Sequence, residues 1–95
     1  MKLFKISQEV NNDYNTYSDA VVVAKTSKDA IIISPDGYYK WHDNSWFFQY
    51  SDGHEEAEDS VRAWCQPSDV KVELIGTAKK GLKAGMIICS SYHAG

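Results

Sequence analysis

The sequence predicts a small α+β domain: a mostly antiparallel sheet of five or six strands with one or two short helices. Several short segments alternate apolar and polar residues with the period of two typical of strands, and turn-forming residues separate them. Segments with helical spacing are few and short. The chain has 95 residues, of which 43% are hydrophobic, so we expect a single folded domain spanning residues 1–95.

The chain opens with an alternating segment, residues 2–10, which we interpret as the first strand. Phe4, Ile6 and Val10 would share its apolar face. Residues 11–17 contain only Asn, Asp, Thr and Tyr, and this composition predicts a loop that displays hydrogen-bonding groups and aromatic rings.

The next segment, residues 19–25, contains three consecutive valines and predicts a strand buried on both faces. Residues 26–34 are ambiguous. Thr26 followed three residues later by Asp29 resembles a helix N-terminus, whereas three consecutive isoleucines favour a strand. Residues 34–37, Ser-Pro-Asp-Gly, predict a turn.

The middle of the chain is aromatic and then acidic. Residues 38–50 predict a hairpin with its turn at residues 42–45. Residues 52–59 contain five acids, and apolar side chains at helical spacing predict a short helix over about residues 55–64. Pro67 would end whatever element precedes it.

The C-terminal part predicts two further strands, residues 70–77 and residues 86–92, joined by a basic turn at residues 79–85. We expect these two strands to pair with each other as a hairpin. Cys89 would then be a core residue inside the last strand.

Charge and composition exclude some classes of protein. The net charge is −3, and Arg62 is the single arginine beside nine lysines, which argues against direct nucleic-acid binding. The N-terminus has no signal-peptide pattern, and no apolar run approaches the ~18 residues of a membrane span. We therefore expect a cytoplasmic protein in which Cys65 and Cys89 are reduced.

Several stretches together resemble a known family. They are KLFKISQEVNNDY at residues 2–14, YSDAVV at residues 17–22, WC at residues 64–65, PSDVKVELIGTA at residues 67–78 and the closing AG. This pattern, over about half the chain, resembles a family of small uncharacterised proteins encoded by bacteriophages and prophages. The resemblance implies helical sequence after the second strand, and so favours a helix within residues 26–34. It also implies a mobile-element origin and a bacterial host.

Two groups of residues are candidate binding sites. The aromatic hairpin must place rings on both faces, and an exposed face of this kind is typical of a protein interface. The acidic run beside it could contact a basic host protein, although such runs are more often solvated faces. We assign the predicted protein interface to Tyr39, Trp41, Trp46, Phe48, Tyr50, Glu55 and Glu56.

The second candidate is a ligand site for a nucleotide. Its polar loop offers amides and stacking rings, and the basic turn offers lysines beside flexible glycines. Alternatively, the loop satisfies its own backbone and the basic turn is an ordinary exposed turn. The predicted ligand-binding residues are Asn11, Asn12, Tyr14, Tyr17, Lys79 and Lys80.

Catalysis and metal binding have weak support. The three histidines and two cysteines show no paired close spacing of the kind metal sites use. His42-Asp43 and the run from Ser90 to His93 contain reactive residue types, but neighbours on a strand point to opposite faces. We therefore expect no enzymatic activity, no metal and no cofactor.

The function that these features favour is that of a non-enzymatic phage accessory protein that antagonises a host defence system by direct protein binding. The first alternative is a protein that sequesters a signalling nucleotide, with a pocket at an oligomer interface. The second is a structural or assembly protein of the virion. Self-association is compatible with all three.

Overall fold

Seven strands form two antiparallel sheets in this computed structural model, which describes residues 1–12, 14–58 and 63–93. Helix is confined to one α-helical turn and one 3₁₀ turn in this part of the chain, so the fold is mostly β rather than α+β. The elements are β1 (Lys2–Ser7), β2 (Thr16–Ala24), α1 (Ser27–Ala30), β3 (Tyr39–His42), β4 (Ser45–Gln49), β5 (Glu55–Glu58), a 3₁₀ turn (Pro67–Asp69), β6 (Lys71–Thr77) and β7 (Ile87–His93).

The four-stranded sheet has the order β6-β1-β2-β7 and carries the core on one face. Phe4 and Ile6 of β1 lie opposite Val22 and Ala20 of β2, and all four are buried. Residues directly opposite each other in an antiparallel pair share a face, so these side chains form one apolar layer.

The three-stranded sheet, β3-β4-β5, packs on that layer chiefly through Trp46. Trp46 is 0% exposed, and its indole Nε1 donates a hydrogen bond to the carbonyl oxygen of Cys65 at 3.1 Å. Trp64 is buried in the same cluster. The two tryptophans therefore connect the sheets and the segment that precedes β6.

The first strand is shorter than the sequence predicts, and the second begins earlier, at Thr16. β1 ends at Ser7 because the next side chain, that of Gln8, binds the backbone of the following loop. Its amide oxygen accepts from the N–H groups of Val10 and Asn11, and its amide nitrogen donates to the carbonyl oxygens of Asn11 and Tyr17. Val10 is thereby turned outward and is exposed rather than on the apolar face.

The ambiguous segment after β2 contains a helix of one turn. Thr26 is its N-cap and accepts from the backbone N–H of Asp29 at 3.2 Å, as the spacing of these residues indicates. The helix stops before the isoleucines, and Ile33 instead forms an isolated bridge with Lys40. The β-branched side chains of the three isoleucines are the physical reason for the short helix.

The predicted helix over residues 55–64 is wrong where the structure describes it. Glu55–Glu58 forms β5, with Glu55 opposite Gln49 and Ala57 opposite Phe47. Strand pairing satisfies the backbone groups on the free edge of β4, which a helix could not do. Residues 59–62 of that prediction lie outside the described residues.

The expected pairing of the last two strands is also wrong. β6 pairs with β1 and β7 pairs with β2, so they occupy opposite edges of the sheet, and the basic segment crosses between those edges. Cys89 is exposed on the β7 edge instead of buried. Both cysteines are free, and burial raises the pKa of the Cys65 thiol to about 12.

Candidate functional site

The β3–β4 hairpin sorts its aromatic residues onto two faces. Its turn places Asp43 and Asn44 at positive φ, 50° and 60°, which produces a tight two-residue connection within the turn predicted at residues 42–45. In the resulting register Tyr39 lies opposite Phe48, and Trp41 lies opposite Trp46. These four side chains share the face that is directed toward the four-stranded sheet.

Burial decreases along this inner face. Trp46 is fully buried, so its predicted place in an exposed interface is corrected: it is a core residue. Tyr39, Trp41 and Phe48 are half-buried, and Tyr50, just beyond β4, is 39% exposed. The hairpin is thus anchored at one end of the face and open to solvent at the other.

The open end is an ordered group of rings and carboxylates. Phe48 contacts Tyr39 at 5.3 Å, Tyr50 at 4.8 Å and Tyr38 at 6.1 Å between ring centroids. The hydroxyl of Tyr39 donates to Glu58 at 3.1 Å. We call this group the aromatic–acidic surface; its members are Tyr38, Tyr39, Phe48, Tyr50, Glu56 and Glu58.

A second tyrosine–carboxylate pair extends the surface. The hydroxyl of Tyr50 donates to Glu56 at 3.0 Å, and the ring of Tyr50 stacks on His54 at 4.1 Å with an interplanar angle of 8°. The bond to Glu56 raises the pKa of Tyr50. Burial, together with the bond to Glu58, raises the pKa of Tyr39 to about 12. Both phenols therefore remain neutral donors that hold their carboxylates in place.

The opposite face of the three-stranded sheet carries a histidine–carboxylate pair. His42 stacks on Phe47 at 3.8 Å, and its Nε2 lies 3.0 Å from Glu55. Gln49 also donates to Glu55, at 2.7 Å. The bond to Glu55, and secondarily that to Asp43, raises the pKa of His42. The bonds from Gln49 and His42 lower the pKa of Glu55.

This pair predicts a pH-dependent contribution to stability. Because the pKa of His42 is raised, its contribution is fully present below 6.5, the value for the free side chain, and is lost as pH rises through the folded-state pKa. Because the pKa of Glu55 is lowered, its contribution is present above 4.5 and is lost as pH falls through the folded-state pKa. His42→Gln should therefore lower the melting temperature more at about pH 5.5 than at about pH 8.5.

A double-mutant cycle with Glu55→Gln measures the interaction between His42 and Glu55 separately from the other effects of each substitution. At the lower pH, the melting temperature of the double variant should fall by less than the sum of the two single-variant decreases. At the higher pH, the decrease should equal that sum. Equal losses from His42→Gln at both pH values would contradict a charged pair.

The predicted ligand loop is ordered by its own side chains at one end. The amide nitrogen of Asn11 donates to the carbonyl oxygen of Trp64 at 3.1 Å, and that of Asn12 donates to Glu9 at 3.0 Å. The Asn12 bond fits the alternative interpretation, in which the loop satisfies its own backbone, whereas the Asn11 bond joins the loop to the segment that precedes β6.

The tyrosines of this loop join an aromatic cluster with β7. Tyr17 contacts Tyr92 at 4.8 Å, and Tyr14, which is 70% exposed, contacts His93 at 5.1 Å. Burial, and then the charge of Asp36, raises the pKa of Tyr17. Because Asp36 also accepts from the backbone N–H of Tyr38 at 2.9 Å, this cluster lies beside the aromatic–acidic surface.

The basic turn is not part of that cluster. Ala78, which precedes Lys79, donates from its backbone N–H to the carbonyl oxygen of Met1, the residue before β1. The polar loop follows the other end of β1, and the strand's six residues separate the two by about 17 Å. Within one chain, the structure does not bring Lys79 and Lys80 together with the loop tyrosines.

The site predicted from the sequence omits several residues that lie on these surfaces. Strand alternation could have identified Phe47 and His42, because it puts Phe47 on the face opposite Trp46. No comparable signal existed for His54, Tyr92 or His93, because their contacts depend on the loop path and on the pairing of β7.

Comparison of the chain with protein-family models, with curated proteins and with solved structures found no match. Among the described residues, no group of three or more His, Cys, Asp or Glu side chains is arranged to hold a metal ion. In the same part of the chain, no helix is long and apolar enough to cross a membrane. The interpretation of the site therefore depends on its own geometry.

Proposed function

We propose that this protein is a non-enzymatic, phage- or prophage-encoded binding protein that antagonises a bacterial defence system by docking a host protein in the cytoplasm. The docking site is the aromatic–acidic surface. The observation that supports it is a set of partly exposed rings fixed in place by hydroxyl–carboxylate hydrogen bonds. The phage origin follows from the sequence resemblance described above.

Ordered tyrosines are well suited to protein recognition. They offer large apolar area and a polar tip, and they lose little side-chain entropy on binding when neighbouring rings already hold them. Phe48 contacts three tyrosine rings in this way. Aromatic anchors of this type dominate the binding energy of many interfaces.

The charge of the surface specifies the chemistry of the partner. Two acids of this surface, Glu56 and Glu58, lie on β5, and Asp52 lies in the turn before it. Glu55, which the sequence placed in the same interface, lies on the opposite face, where it contacts His42 and Gln49. Carboxylates beside tyrosine faces bind Arg and Lys side chains through charge-assisted hydrogen bonds and cation–π contacts. A basic surface of the host protein is therefore the expected partner.

Nucleotide sequestration has less support from the geometry. A phosphate-binding site in one chain would have to combine the loop tyrosines with lysines that lie at the far end of β1. The surface beside the loop tyrosines is acidic, which disfavours an anionic ligand.

Phage-challenge assays test the proposal directly. Bacteria carrying individual defence systems are challenged with a phage that each system blocks, with and without this protein. Restored plaque formation against one system is the expected result. Tyr38→Ala combined with Tyr50→Ala should abolish it, because loss of an interface anchor costs about 2 kcal/mol, or about 30-fold in affinity.

A matched control is Tyr14→Ala, an exposed tyrosine outside the aromatic–acidic surface. It should leave both plaque formation and affinity for the purified defence protein unchanged. Equal loss in both variants would refute docking through this surface. A thermal shift with one class of nucleotide, without binding to the defence protein, would transfer support to sequestration.

A further inference from the structure

The β6 strand forms one edge of the four-stranded sheet, and its residues Lys71–Ile75 are all exposed. In the described part of the chain, no strand pairs with its outer edge. An edge strand of this kind presents a row of unpaired backbone N–H and C=O groups, to which another strand can add.

One face of β6 is apolar and uncovered. Val72 lies opposite Ile6, and Leu74 lies opposite Phe4, so both share the core face of the sheet. Ile6 and Phe4 are buried, yet Val72 is 37% exposed and Leu74 is 56% exposed. The three-stranded sheet therefore does not cover this edge, and the core layer continues into solvent.

The other face of β6 carries charges of alternating sign. Glu73 lies opposite Lys5, and Lys71 lies opposite Ser7. Lys71 and Glu73 are two residues apart on this face. If two β6 strands paired antiparallel about the residue between them, each lysine would lie opposite a glutamate.

We propose that β6 pairs antiparallel with β6 of a second copy of this chain, about a two-fold axis at Val72. Lys71 of each copy then lies opposite Glu73 of the other copy. Val72 lies opposite Val72, and Leu74 lies opposite Val70, whose backbone is extended. The two four-stranded sheets become one sheet of eight strands with a continuous apolar layer.

The neighbouring registers are less favourable. Centring the axis on Lys71 or on Glu73 places that residue opposite its own copy, and like charges directly opposite are destabilising. Centring it on Leu74 places Glu73 opposite Ile75, the extra residue of a β-bulge against β1. The straight segment before the bulge therefore selects the Val72 register.

The opposite edge of the sheet is less suited to pairing. The register of β7 against β2 shifts twice, and bulges of this kind twist an edge and interrupt its pairing. The distal half of β7 is also polar, with Ser90, Ser91 and His93. This dimer uses neither β7 nor the aromatic–acidic surface, so the inference is independent of the proposed function.

Charge reversal tests the register. The wild-type chain should sediment as a dimer, at twice its mass of 10.7 kDa, with a measurable dissociation constant. Lys71→Glu and Glu73→Lys should each raise that constant about tenfold or more, because two symmetry-related pairs become repulsive. The double variant, Lys71→Glu with Glu73→Lys, should restore dimerisation.

Glu9→Gln is the matched control, because Lys71 also bonds to Glu9 at 2.9 Å within the chain. It removes the negative charge from that ion pair without changing the proposed interface, and it should leave the dissociation constant unchanged. A monomer at concentrations up to about 1 mM would overturn the proposal, as would failure of the double variant to recover.

Disulfide trapping gives a second test that does not depend on charge. In a Cys89→Ser background, Val72→Cys should form an intermolecular disulfide on mild oxidation, since directly opposite residues lie within bonding reach. Leu74→Cys should not, because its two copies would be about 13 Å apart. Crosslinking through Leu74→Cys but not Val72→Cys would overturn the proposed register.

Discussion

Trp46→Ala is expected to lower the free energy of unfolding by about 3–5 kcal/mol, which is a large fraction of the stability of a small domain. Trp46 and Trp64 are the largest fully buried side chains among the described residues, and Trp46 joins the three-stranded sheet to the four-stranded sheet. The change opens a cavity and leaves the carbonyl oxygen of Cys65 without its indole donor. Urea denaturation at constant pH, followed by tryptophan fluorescence, measures the loss.

Phe47→Ala is the matched control, because Phe47 is the next residue of β4 and lies on the opposite, half-buried face. Removing its ring loses the stack on His42 but opens no enclosed cavity, so the expected loss is about 1 kcal/mol. Similar losses in both variants would mean that the core does not depend on Trp46.

Gln8→Ala is expected to have the second largest effect, a loss of about 2–3 kcal/mol in the free energy of unfolding. The Gln8 amide makes four hydrogen bonds with the backbone at the end of β1, and the side chain is buried. Without it, two N–H groups and two carbonyl oxygens lose their partners. Hydrogen exchange at Val10 and Asn11 should accelerate together with the loss of stability.

Gln8→Glu tests whether the donor group of the Gln8 amide is required. The carboxylate keeps the acceptor but points an oxygen at the carbonyl groups of Asn11 and Tyr17. We expect it to destabilise the protein as much as alanine does at neutral pH, and less at acidic pH, where a protonated carboxyl can donate. Gln49→Ala, which removes an amide from the half-buried face that carries Phe47, should cost less than Gln8→Ala.

The elements that the sequence predicted correctly depend on local chemistry. The β3–β4 turn follows from residues that tolerate positive φ, and the α1 N-cap follows from the spacing of Thr26 and Asp29. β6 follows from the alternation of Val72 and Leu74 with charged residues. Each of these signals acts within a few residues along the chain, so no tertiary contact is needed to recognise it.

The predictions that were wrong concern pairing between distant segments. β5 is a strand because the free edge of β4 needs a partner, although its residues have helical spacing. β7 is adjacent to β2 rather than to β6, so it forms the opposite edge of the four-stranded sheet and the outer edge of β6 stays without a strand partner in the described part of the chain. The exposure of Cys89 follows from that placement at an edge.

The sequence by itself determined a single small domain, most of its strands, and an aromatic hairpin beside an acidic segment. Only the tertiary structure decided which rings are core and which are open to a partner, and that the tyrosine loop and the lysine turn lie at opposite ends of β1. The physical reason is that alternation assigns side chains to faces, whereas burial depends on what packs against each face. That packing is set by contacts between segments far apart in the chain.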